Sequence, residues 1–217
     1  MNTEFIRNLE KNKSKFKFLI LPLISSAAVL RKEKLLNKLL ESAKRNNIDS
    51  SKIYEALLQT YLFAGFPSAL ISLQIASQIF PFEKFRYKLF KPGKKSGIRN
   101  CKKIYGNKFD KLISNINDFS PELSEWLIIE GYGKVLGRKS LSLKERELCI
   151  VAILCSMKFE SQLYSHINGA YRLNNSIRLI KMVIVNLEQV GGMHIKSFGL
   201  KVLNEYAKTR TLKGLKI

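Results

Sequence analysis

The sequence predicts an all-α protein in which two helical-hairpin repeats pack as one globular unit. Three observations carry that prediction. Apolar residues recur at three- and four-residue spacing, as in Leu35, Leu36, Leu39, Leu40 and Ala43, with lysines on the opposite side, which is the period of an amphipathic helix. Strand signals are scarce, although short strands stay open between the copies. The chain also matches itself without a gap at a shift of 163 − 36 = 127 residues, pairing Leu36 with Leu163, Leu40 with Ile167, Ala43 with Ala170, Arg45 with Arg172, Asn47 with Asn174, Ile53 with Ile180 and Gly65 with Gly192. Each matched segment reads as helix, short Asn-containing turn, helix, so the simplest inference is two copies of one hairpin.

Taken in order, residues 18–30 form an apolar run interrupted by Pro22, Ser25 and Ser26. It is too short for a membrane span. Lysines before it and Ser26-Ala27-Ala28 after its centre give it the look of a secretory leader, but the run belongs to the internal repeat, which favours a core helix. Asp49-Ser50-Ser51 starts a helix at about Lys52, and Gly65-Phe66-Pro67 marks a break or tight turn. Lys91-Pro92-Gly93-Lys94-Lys95-Ser96-Gly97 concentrates turn formers and charge, the composition of an exposed connector. The expected division is therefore a first repeat over 1–80, a basic connector over 81–119 and a second repeat over 120–217. Ser120-Pro121-Glu122 supplies a cap, an N1 proline and an early acid for a helix through Trp126. Ser142 and Glu145 have the spacing of a capping box at the start of the next helix.

Composition bounds the function. Of 217 residues, 46% are hydrophobic, enough for a continuous core. Cys101, Cys149 and Cys155 form no C-x-x-C pair and are too few for a disulfide scaffold, which points to a reducing, cytoplasmic setting. No metal-ligand cluster is expected, and no membrane partner. The net charge of +21 raises a polyanion such as nucleic acid as a partner. Lysine is spread along the whole chain with many asparagines and isoleucines, however, a mix also expected from an AT-rich genome. No zinc-finger spacing or aromatic RNA-binding motif accompanies it. Nucleic-acid binding therefore stays open but is not favoured.

Chemistry concentrates between Pro121 and Ala170. There Gly131-Tyr132-Gly133, Gly137-Arg138, residues 143–148 and Gln162-Leu163-Tyr164-Ser165-His166-Ile167-Asn168-Gly169-Ala170 together resemble a carboxymuconolactone decarboxylase-like protein of the alkyl hydroperoxidase D-like fold. In the first copy, Glu55-Ala56-Leu57-Leu58-Gln59-Thr60-Tyr61-Leu62-Phe63-Ala64-Gly65-Phe66-Pro67 is similar to the closing helix of the same unit. The related hydroperoxidase branch uses a glutamate, a C-x-x-C pair and a histidine seven residues after the first cysteine. Here Glu147 and His166 stand at the glutamate and histidine positions, but Phe159 and Gln162 occupy the cysteine positions, so thiol-based peroxide reduction through that pair is excluded.

What the resemblance then implies is the decarboxylase branch: loss of carbon dioxide from an unsaturated lactone acid, with no metal or organic cofactor. On antiparallel helices 143–158 and 162–173, Glu147 and His166 would face each other, the carboxylate orienting the imidazole as a general acid. Arg138 would hold a substrate carboxylate or enolate oxygen through its planar fork. Gln162, one turn before His166, would share its face and donate to an oxygen. Tyr132 and Trp126 would line the pocket. Structural alternatives stand beside each role. Glu147 gains from the helix N-terminus alone, His166 is compatible with a satisfied core histidine, Arg138 with a helix cap, and Trp126 and Tyr132 with packing. The first copy has Leu39 and Ile20 at the positions of His166 and Glu147 and reads as structural.

The leading expectation is a cofactor-independent, decarboxylase-like lyase acting on a small anionic substrate, with His166 and Glu147 catalytic. The resemblance also implies a homo-oligomer, with a trimer-based ring among the assemblies it suggests. The competing reading is a non-catalytic descendant of the fold serving in assembly or polyanion binding. A third is a thiol enzyme using Cys149 or Cys155.

Overall fold

The computed structural model describes residues 3–81 and 93–212, and no strand occurs among them. In chain order the helices are α1 (Thr3–Lys11), α2 (Lys13–Val29), α3 (Glu33–Arg45), α4 (Ser50–Leu58), α5 (Tyr61–Ile79), α6 (Lys94–Tyr105), α7 (Phe109–Asn117) and α8 (Pro121–Trp126). They continue with α9 (Leu143–Met157), α10 (Glu160–Arg172), α11 (Ile177–Asn186), α12 (Glu188–Gly191) and α13 (Met193–Leu212). A 3-10 turn, Gly106–Lys108, joins α6 to α7, and α8 runs on into a π-helical stretch, Leu127–Val135.

Two helices form the centre. In α2 the run from Leu19 to Ala28 is buried without interruption, and in α9 the same holds from Arg146 to Ser156. A helix that is apolar on all sides belongs inside a protein rather than on its surface. The pair pack against each other, and the Ser26 and Ser156 hydroxyls meet between them at 2.7 Å. Helices α1, α3, α4, α5, α10, α11, α12 and α13 pack on one or both of this pair, while α6 packs on α10 and the π-helical stretch, and a single buried cluster takes in Leu19, Leu39 and Ile53 from one half of the chain and Ile150, Leu163 and Ile180 from the other. The apolar run at 18–30 is thus core from Leu19 to Ala28, with Phe18 exposed at its start.

The shift of 127 residues recurs in the backbone. α3 (Glu33–Arg45) and α10 (Glu160–Arg172) have bounds separated by that number. Arg31 and Lys158 both take positive φ, at 53° and 60°, as do Asn47 and Asn174, at 53° and 63°. Asn is among the few side chains that accept this left-handed turn readily. Gly65 (φ 75°) and Gly192 (φ 95°) complete the correspondence, each with ψ near the extended range, a combination that is essentially confined to glycine.

The stretch read as a connector over 81–119 differs from that reading. Lys91 and Pro92 lie outside the described residues, but 94–117 contains α6 and α7, and α6 buries Gly97, Asn100, Cys101 and Ile104. Those positions follow the i, i+3, i+4, i+7 pattern of one helix face, with Lys94, Lys95, Lys102 and Lys103 turned away. The charge of the lysines conceals the period of the face between them. At Gly97 a Cβ would lie 2.1 Å from the Ile128 carbonyl oxygen, so the glycine permits α6 to sit directly on the π-helical stretch. Asn100 then donates to the Tyr132 carbonyl at 2.9 Å.

Candidate functional site

The site grows from the start of α9. Ser142 accepts a hydrogen bond from the Glu145 backbone N–H at 3.3 Å, while the Glu145 carboxylate accepts from the Ser142 N–H at 3.1 Å. This capping box fixes where the helix begins, and so which face Glu147 occupies. Left-handed Lys158 turns the chain back into α10, bringing His166 opposite. His166 Nδ1 lies 2.9 Å from Glu147 Oε2, and both side chains are buried. A buried carboxylate held by one imidazole nitrogen sets the ring's orientation and leaves Nε2 as its working atom.

Gly169, one turn beyond His166, leaves room for the carboxylate. A Cβ there would stand 2.8 Å from Glu147 Oε2 and 2.5 Å from Ile104 Cγ2. The second carboxylate oxygen, Oε1, is buried with no hydrogen-bond partner among the described residues.

Aromatic rings wall the imidazole. Phe63, from α5, meets it edge-on at 6.3 Å between centroids, and Tyr105, the last residue of α6, does so at 6.1 Å. Gly106 stops α6 at that point with φ 61°, and its missing side chain admits the Arg172 guanidinium, 2.4 Å from where a Cβ would be. Tyr105 and Tyr132 stand edge to face at 6.2 Å between ring centroids. Burial, foremost, pushes both phenols above their usual range, so both are protonated at neutral pH. Cys101, one turn earlier on α6, is pushed up to about 12 by burial and then by the charge of Glu147.

Of the residues singled out in the sequence, Glu147, His166 and Tyr132 come together. The others lie apart from this cluster. Arg138 donates from Nε to Glu55 Oε1 at 2.7 Å, and Glu55 Oε2 accepts from the fully buried Arg146 at 2.8 Å. Through Nε the Arg138 guanidinium thus joins an Arg–Glu–Arg cluster around the buried Glu55, with its own side chain 27% exposed. Gln162 is exposed. The inward stripe of α10 runs through Leu163, His166, Ile167 and Ala170, so position i−3 from the histidine takes the place that i−4 was expected to fill. Trp126 is 57% exposed, on a helix whose buried side is Ser124.

Phe63, Cys101 and Tyr105 were not anticipated. Phe63 sits within the first-copy segment read as structural, and that copy has no acid or base at the equivalent positions; its contribution is a wall. Cys101 and Tyr105 lie in the presumed connector. Their signal was the apolar spacing of Gly97, Cys101 and Ile104 among lysines.

No family model matches the chain. Over 111 residues, 49% of this chain and 39% of the relative, it is 24% identical to Peroxisomal protein 2 of Saccharomyces cerevisiae. The chain thus spans well under half of that protein's length, a similarity too partial to define a family.

Proposed function

We propose that this chain is a cofactor-independent, carboxymuconolactone decarboxylase-like enzyme acting on a small anionic lactone or a related acid. The observation that carries the reading is the buried Glu147–His166 pair at 2.9 Å, set between aromatic walls. A dyad of this kind suits a reaction in which the substrate is its own electron sink. Electrons released with carbon dioxide delocalise through a conjugated double bond onto the lactone carbonyl, and the protein has to stabilise an oxyanion and return one proton to carbon. His166 is the proton donor in this reading, Glu147 orients it, and Tyr105, backed by Tyr132, walls the imidazole. Phe159 and Gln162 stand where a peroxidatic cysteine pair would be needed, which separates the reading from thiol peroxidases.

The test follows the ultraviolet absorbance of γ-carboxymuconolactone with wild type and His166→Gln side by side at moderate salt, with circular dichroism to verify folding. Turnover by the wild type and its loss in the variant are expected. Equal turnover by both, or none by the wild type, would overturn the assignment.

Self-association is part of the proposal, and the outer face of α5 supports it. From Tyr61 to Ile79 there is no charged side chain, and Phe66, Leu70 and Ile71 are 67%, 64% and 39% exposed. Contiguous apolar surface of this kind marks an interface more often than free surface. On this face two strongly basic chains can meet without opposing lysines. The same observation is compatible with the non-catalytic assembly reading, which the turnover assay separates. A polyanion-binding role predicts affinity that falls steeply with salt.

A further inference from the structure

We propose that the exposed apolar stripe at α8, formed by Phe119, Leu123 and Trp126, docks on the outer face of α5 of a second copy of this chain, with the acids beside the stripe meeting the basic rim of α5. The inference rests on the self-association reading and names the surface that α5 meets.

The stripe has no part in the cluster around His166. Leu123 and Trp126 lie one turn apart on α8 and Phe119 precedes the Ser120 cap; Phe119, Leu123 and Trp126 are 73%, 51% and 57% exposed. Exposed apolar side chains grouped in this way mark an interface, and aromatic ones are its usual anchors. Their electrostatic setting departs from the rest of the chain. Lysine and arginine number 38 against 17 acids, yet from Leu112 to Gly133 there are four acids, Asp118, Glu122, Glu125 and Glu130, and no base. Asp118, Glu122 and Glu125 each stand one residue before a member of the stripe and are exposed, so a row of carboxylates borders the apolar row. Lys94 pairs with Glu125 at 3.3 Å between exposed side chains, a contact of little strength.

The outer face of α5 is the complement. Phe66, Leu70 and Ile71 are exposed on a helix without charge, but the residues around them are basic. Exposed Arg31 and Lys32 line a cleft with Ser68, Ile71 and Ser72, where Glu33 joins them. At the far end of the helix Lys44 donates to the Ile79 carbonyl at 2.8 Å. Two α5 faces in contact would bring two basic rims together, whereas α8 sets carboxylates against that rim. Opposite potentials across an interface decide which patches pair. Rim pairs beside a desolvated apolar contact are also screened less than the net repulsion of two basic chains. Each copy carries one face of each kind, so the contact is heterologous and generates a ring where its rotation closes.

Complementation between two defective variants tests the pairing. Leu123→Ser with Trp126→Ser removes the α8 stripe, and Phe66→Ser with Leu70→Ser removes the α5 face. All four residues are exposed, and circular dichroism verifies that each variant folds. Light scattering of either variant alone is expected to give 24.9 kDa, with association weakened about thirtyfold or more, the loss of a single hot spot. An equal mixture is expected to give twice that mass, because each variant keeps the face that the other lacks. With an assembled wild type, an α8 variant that assembles equally, or a mixture that stays at 24.9 kDa, would overturn the pairing of α8 with α5 and retain self-association. A wild type of single-chain mass at every concentration would remove both. Charge exchange is a second test that leaves the apolar residues in place. Glu122→Lys with Glu125→Lys is expected to weaken assembly, and mixing that variant with Arg31→Glu, Lys32→Glu to restore it; a mixture no better assembled than its two components would overturn the match between the rims.

Discussion

A buried carboxylate is stable only with partners, and Glu147 has one: its Oε2 meets His166, while Oε1 meets no donor among the described residues. The pair is therefore sensitive to small changes in space around it. Gly169→Ala would place a methyl group 2.8 Å from that carboxylate and 2.5 Å from Ile104. Overpacking of this kind costs about 1–3 kcal/mol, and the atoms that move are those that hold His166. A lower melting temperature together with lost activity is expected. Gly131→Ala is the control, because its Cβ would find nothing nearer than Leu127 Cδ1 at 3.9 Å; equal effects at both positions would count against a special role for the space at Gly169. Cysteine chemistry is decided at the same scale. Cys101, Cys149 and Cys155 are all buried, and burial pushes each thiol up to about 12. At pH 8 essentially no thiolate forms. A native sample should leave a disulfide reagent unreacted until denaturant exposes all three thiols; rapid native labelling coupled to inactivation would revive the thiol-enzyme reading.

At the scale of the element, α9 shows what local sequence does and does not encode. Its start was legible, since Ser142 and Glu145 form a capping box within four residues of chain. What ties that start to the rest of the protein was not. Arg146 is fully buried and donates to the Leu141 carbonyl, to Gln59 Oε1, to Glu55 Oε2 and to the Arg138 carbonyl. Two of those partners lie 87 and 91 positions away, where no spacing rule reaches. Removing one member of a buried ion pair strands the other, at a cost of about 3–5 kcal/mol. Arg146→Met is expected to fall at the lower end, because Arg138 still engages Glu55, and Arg138→Met to cost less. Urea unfolding of the two variants checks the order. The cap itself carries a pH signature. Burial raises the Glu145 carboxyl, but hydrogen bonds from Lys52 and Ser142 outweigh it and hold it below the ordinary carboxylate range. Its stabilising contribution is therefore complete above the unfolded-state value and is lost as pH falls through the depressed folded one. Glu145→Gln should be less stable than wild type near neutrality, with the two unfolding curves converging at the acid end; a gap that is constant with pH would assign the effect to shape alone. Legibility fails in a different way at α6, whose lysines drew attention to charge while the narrow apolar face between them, with Cys101 and Tyr105, built one wall of the site.

For the whole molecule the question is whether a chain of net charge +21 assembles with copies of itself. Periodicity and the shift of 127 residues made the all-α class readable, because both are properties of pattern. Exposure is not, since an apolar helix looks the same in sequence whether neighbours cover it or not. α5 is long and apolar enough by length and composition to cross a membrane, yet 22% of its most apolar window is buried. At the same shift, α13 carries Lys196, Lys201, Glu205 and Lys208, whereas α5 carries no charge. Of these two similarly placed helices, only α5 thus presents an uncharged face with exposed large apolar side chains. If a second copy covers it, Phe66→Ser with Leu70→Ser should reduce the mass measured by light scattering from a multiple of 24.9 kDa to that value, while Phe159→Ser, at another exposed apolar residue, leaves it unchanged. Salt gives an independent sign. Screening weakens repulsion between like-charged chains, so added salt should strengthen an α5 contact between copies, whereas it weakens attachment to nucleic acid or to an anionic bilayer. A wild type of 24.9 kDa at all salt concentrations, bound to anionic vesicles through α5 at low salt, would assign the face to a lipid surface and remove the homo-oligomer from the proposal.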